Sequence, residues 1–75
     1  MDTMTTTLLS YRPGDERLEE IALEIARQDG APGQTYSWFV SDTLPPGHSV
    51  AEQDQLLAHQ RDCPGSVFLT VLLED

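Results

Sequence analysis

Between Asp15 and Gln28, apolar residues fall at Leu18, Ile21, Ala22 and Ile25. This i, i+3, i+4, i+7 spacing predicts a helix with one buried stripe. Asp15 suits the N-cap, and Glu16, Glu19 and Glu20 set negative charge at the positive end of the helix dipole. Gly30 is expected to end the helix in the left-handed conformation, with Pro32 blocking continuation. Leu23 sits about 140° around the helix from Leu18, outside the stripe. It is either edge packing or a contact for something else.

Two-residue periodicity marks the strands. Thr5 to Tyr11 combines Thr, Leu and Tyr and ends at the turn signal Arg12-Pro13-Gly14. Gln34 to Thr43 is the second strand. Tyr36, Trp38 and Val40 share its core face, while Ser37, Phe39 and Ser41 share a partly solvated one. Leu44-Pro45-Pro46-Gly47-His48 is a stiff loop, because two prolines fix two φ angles. Ser49 to about Arg61 predicts a second helix, opened by the capping box Ser49-Val50-Ala51-Glu52. Its apolar face, Val50, Ala51, Leu57 and Ala58, is weaker, and Leu56 points elsewhere. Ser66 to Glu74 is the third strand. Val67, Phe68, Leu69, Val71, Leu72 and Leu73 make it apolar on both faces, which places it in the middle of the sheet.

The expected architecture is a single α/β (or α+β) domain over residues 1–75, in the order β-α-β-α-β. Residues 1–4 are expected to be disordered. The two strand–helix–strand links permit a mainly parallel sheet in the spatial order 1-3-2, with an antiparallel link as the alternative. Either arrangement leaves two open sheet edges, which invite self-pairing.

Charge narrows the choice of partner. The 75 residues hold thirteen acids against four bases, for a net charge of −9. The bases are Arg12, Arg17, Arg27 and Arg61, dispersed and without a lysine among them. Direct nucleic-acid binding needs clustered cations, so it is not expected, and an anionic membrane surface is disfavoured for the same reason. No apolar run is long enough to span a bilayer. Asp2 stands where a secretory leader carries positive charge, so a cytoplasmic location is expected. A basic surface on a larger protein is the favoured partner.

Catalytic and metal chemistry find little support in the linear order. One cysteine, Cys63, excludes an internal disulfide and a Cys-x-x-Cys redox pair. His59 and Cys63 stand four apart, with His48 well before them. Tetrahedral zinc wants four ligands, so no metal or other cofactor is expected. Asp62 beside Cys63 opposes thiolate formation, and Gly30-Ala31-Pro32-Gly33 lacks the lysine and following helix of a phosphate loop. A chain this small also has little room for an enclosed pocket, so no enzyme is expected.

Glu16, Glu20 and Glu24 recur at i, i+4 and i+8, where like charges repel. That repulsion suggests a surface with a use. The expected function is a non-enzymatic interaction protein, an inhibitor that occludes a basic, nucleic-acid-binding surface. Its contact set is Glu16, Glu19, Glu20 and Glu24, helped by Asp15 and Asp29 at the helix ends, with Leu23 and Phe39 as apolar anchors. Acidity and size are similar in kind to small inhibitors and nucleic-acid mimics, a likeness of composition that assigns no residue. The alternatives are a module that pairs with its own copy through a sheet edge, and a small metal-binding or hydrolytic protein built on His48, His59 and Cys63.

Overall fold

The computed structural model describes residues 3–74. The chain runs β1 (Thr3–Leu9), α1 (Asp15–Asp29), β2 (Tyr36–Ser41), α2 (Val50–Asp62) and β3 (Val67–Leu73). The three strands form one sheet in the order β1-β3-β2. The two-sided apolar strand β3 is central, because it alone has no face that water can share. Phe68, Leu69, Thr70 and Val71 are all fully buried.

Both pairings are antiparallel, whereas the sequence permitted a mainly parallel sheet and left an antiparallel link as the alternative. The reason lies in the link between β2 and β3. The eight residues between β2 and α2 span up to about 26 Å if extended. The 13 residues of α2 return about 20 Å. The outward leg ends where His48 meets Thr6 on β1. The return leg is tied to its start, because Gln60 Nε2 donates to the Asp42 carbonyl at 2.8 Å. An excursion that closes on itself delivers β3 to the end of the sheet where β2 finished. Ser41 therefore faces Phe68 and Tyr36 faces Leu73, and the domain is α+β.

Alternation along the strands assigns the faces. Val71 and Leu73 pack with Ala22 and Ala26 of α1, supported by Ile25, Tyr36 and Trp38. Leu18 is 1% exposed and completes the helix stripe. Ile21 and Ile25 are half-buried, at its flank. Phe68, Thr70 and Leu72 point to the opposite face. There Thr6 and Thr70 stand side by side with their hydroxyls 3.0 Å apart.

Several boundaries differ from the sequence reading. β1 starts at Thr3 and stops at Leu9, so Thr3 and Met4 pair with Leu73 and Leu72. Met1 and Asp2 lie outside the described residues. Tyr11 is past the strand and 65% exposed. The N-cap of α1 is Gly14, and Asp15 is the first helical residue. Gly30 is extended (φ −106°), not left-handed. Glycine is required there by space: a Cβ would lie 2.8 Å from the Ala26 carbonyl oxygen and 3.1 Å from Leu73 Cδ2. The left-handed turn falls to Gly33 (φ 77°).

Helix α2 is held differently from α1. It buries no residue completely, and Val50, expected on its apolar face, is 74% exposed. Leu56 and Leu57 are half-buried, and Leu56 faces the β1 side instead of pointing away. Polar anchors at its two ends, His48 and Gln60, do part of the work that an apolar stripe does for α1.

Candidate functional site

The expected contact residues divide between two faces. Glu16, Glu19, Glu20 and Glu24 are all exposed on α1. Measured from Leu18, Glu16, Glu20 and Glu24 stand at about 160°, 200° and 240°, a contiguous outer strip. Arg17 relieves it at Glu20, 3.2 Å from Oε2, with both side chains well exposed, and Arg27 stands at about 180°, toward the far end of the strip. Asp15 and Asp29 do not extend this strip. At about 60° and 20° from Leu18 they lie on the sheet side of the helix. Asp29 accepts from the Thr5 hydroxyl at 2.8 Å, which ties the end of α1 to β1.

Leu23 is half-buried and lines a groove of about 440 Å³. Ala26, Arg27, Pro32 and Tyr36 share that lining. Helical spacing sets Glu19 and Glu20 one turn before Leu23 on the same side. Phe39 does not join this surface. It stands opposite Thr70 in the register, on the sheet face away from α1. It is 39% exposed there. The two proposed apolar anchors are thus separated by the sheet.

The triad His48, His59 and Cys63 is not assembled either. His48 precedes α2, while His59 lies exposed in its last turn. Cys63 caps the helix as a half-buried free thiol. Among the described residues no three His, Cys, Asp or Glu side chains converge to hold a metal ion.

His48 instead joins a set that crosses from α2 to the sheet. Its side chain is only 6% exposed. Nδ1 lies 3.2 Å from Glu52 Oε2, and Nε2 lies 2.8 Å from Thr6 Oγ1. A carboxylate only accepts, so in the neutral ring Nδ1 carries the proton. Nε2 then accepts from the Thr6 hydroxyl, and the Thr6 oxygen accepts from Thr70. The four groups form one directed chain from Thr70 to Glu52. Beside it lies a groove of about 330 Å³, lined by Met4, Thr5, Thr6, His48, Glu52, Gln55 and Leu56.

The capping box explains how Glu52 comes to be there. Ser49 caps α2 as expected and accepts from the Glu52 N–H at 3.3 Å. The Glu52 carboxylate turns one residue further back, to His48. The i, i+4 spacing of His48 and Glu52 was legible in the sequence. Thr6 was not, because it lies on a distant strand within a threonine run that β propensity alone accounts for.

Comparison with protein-family models, curated proteins and solved structures finds no match. Among the described residues no helix is long and apolar enough to cross a membrane.

Proposed function

We propose that this protein binds a basic surface on a larger protein through α1, as an interaction partner or inhibitor. The observation that carries this reading is the apolar groove lined by Leu23, Ala26 and Tyr36, with exposed Glu19 and Glu20 one helical turn before Leu23. An apolar centre with a charged rim is the anatomy of a specific interface. The groove accepts an apolar side chain of the partner. Glu16, Glu19, Glu20 and Glu24 meet the Lys and Arg residues around it. The excess of acids steers encounter over long range, and the apolar contact slows release. Carboxylates then occupy places that phosphates of a nucleic acid would take. Arg27, at the lip of the groove, offers a donor to a backbone carbonyl of the partner.

This reading narrows the contact set to Glu16, Glu19, Glu20, Glu24 and Leu23. The self-pairing alternative rests on the open outer edges of β1 and β2. Two baits separate them: the parent chain and a variant with Glu16, Glu20 and Glu24 changed to Gln. The α1 reading expects a basic protein retained by the parent, released by salt and lost from the variant. Equal retention by both baits, or a stable dimer as the only species formed, would count against it.

A further inference from the structure

We infer that Thr6 is an acyl-accepting nucleophile, activated by His48 and positioned by Glu52, for short-chain carboxylic esters that enter the groove between β1 and α2. The inference does not rest on the α1 reading, because the two sites lie on opposite faces of the sheet.

Three features carry it. The first is direction. A hydroxyl that donates to an imidazole nitrogen, whose other nitrogen donates to a carboxylate, is the arrangement that activates an alcohol for attack on a carbonyl. Here the distances are 2.8 Å and 3.2 Å, both within hydrogen-bond reach. The second is placement. Thr6, His48 and Glu52 all line the same groove between β1 and α2, which opens to solvent. The third is the remaining lining. Met4 and Leu56 offer apolar walls to a short acyl chain, and Gln55 supplies the one side-chain amide among the lining residues, a donor for a developing oxyanion.

The chemistry balances without any further reagent except water. Thr6 Oγ1 attacks the ester carbonyl carbon, and its proton passes to His48 Nε2. The tetrahedral adduct collapses with cleavage of the bond to the alcohol oxygen, which takes that proton from Nε2. The product is acyl-Thr6 and a free alcohol. Water, deprotonated by the same nitrogen, attacks the acyl carbon and returns the hydroxyl to Thr6, releasing the carboxylic acid. Glu52 is a positioning residue: it holds the ring in the tautomer that leaves Nε2 free to accept. The Thr70 hydroxyl donates to the Thr6 oxygen at 3.0 Å and supports negative charge on it.

The test uses the intact chain with p-nitrophenyl acetate, acid quench and peptide mass mapping. The expected result is one acetyl group on Thr6, formed with a burst of p-nitrophenolate. Thr6→Ser keeps the acylation, while Thr6→Val and His48→Gln lose it. Glu52 is 64% exposed, so its substitution tests the relay without emptying the core. Glu52→Gln slows acylation at least tenfold, and Glu52→Asp recovers part of the rate. Acetylation confined to Cys63, His59 or the amino terminus overturns the inference. So does a Thr6 acylation rate unchanged in Glu52→Gln, with circular dichroism confirming the parent fold in each variant compared.

Discussion

The hydroxyl of Thr70, fully buried in the middle of β3, lies 3.0 Å from the hydroxyl of Thr6 on the neighbouring strand. Thr6 in turn meets His48, so one half-buried side chain satisfies two partners. The sheet tolerates a polar residue between Leu69 and Val71 because its hydroxyl is paired, not because water reaches it.

That relationship predicts an asymmetry between two isosteric changes. Thr70→Val removes one donor while Thr6 keeps His48, and should cost less than about 1 kcal/mol. Thr6→Val strips partners from both Thr70 and His48, and should cost roughly 1–3 kcal/mol. Urea unfolding of the two variants checks the order. A Thr70→Val variant less stable than Thr6→Val would mean that the chain of bonds does not hold.

The central strand supplies the second prediction. Leu69 is fully buried, facing Thr7 on one side and Val40 on the other. Leu69→Ala should cost about 2–5 kcal/mol and largely unfold so small a domain. A melting temperature within a degree or two of the parent's would contradict its place in the core.

Two glycines should respond in opposite directions. Gly14 caps α1 in an extended conformation with no side-chain bond, and a Cβ there meets nothing within 4 Å. Gly14→Ser supplies the missing cap acceptor and should stabilise by about a few tenths of a kcal/mol. Gly30→Ala drives a methyl group against the Ala26 carbonyl and Leu73, and should destabilise by about 1–3 kcal/mol. Thermal melts of the two variants should bracket the parent.

The acidic strip should separate stability from binding. Changing Glu16, Glu20 and Glu24 to Gln removes two like-charge i, i+4 pairs and leaves stability unchanged or raised by up to roughly 1 kcal/mol. Binding to a basic partner should weaken at least tenfold, about 1.4 kcal/mol, mainly through slower association that depends less on salt. Association kinetics at two ionic strengths provide the check. Undiminished binding with the parent's salt slope would reduce the strip to a solvated surface.

Cys63 and the histidines should be indifferent to metal. His48 spends both ring nitrogens on Thr6 and Glu52, and His59 stands apart in the last turn of α2. Zinc or a chelator should therefore leave the melting temperature unchanged, and Cys63→Ser should shift stability by less than about 1 kcal/mol. Stoichiometric zinc by native mass spectrometry, lost with folding on chelation, would restore the metal reading.

The amino-acid sequence by itself determined the five elements, their order and the central place of β3. Each follows from spacing within one segment: the stripe from Leu18 to Ile25, the alternation from Tyr36 to Val40, the two-sided apolar run from Val67 to Leu73. Such patterns report how one element divides its surface between core and water, which is a local property. Element ends were less legible. Thr3 and Met4 look unremarkable until the far end of β3 pairs with them, and Gly30 is glycine because Leu73 approaches it.

Tertiary structure alone decided which segments meet. The direction of β3 depended on whether the Pro45-Pro46 leg and α2 would cancel in space, and neither sequence pattern encodes the angle between them. Leu23 and Phe39 look equivalent as spare apolar residues, yet they fall on opposite faces, because one belongs to a helix and the other to the strand beneath it. Thr6, Thr70, His48 and Glu52 are ordinary in their own segments. Their chain exists only because β1 pairs with β3 and the loop before α2 crosses to β1. A hydrogen bond between distant positions requires both backbones to be placed to within a fraction of an ångström. No one-dimensional periodicity carries that information.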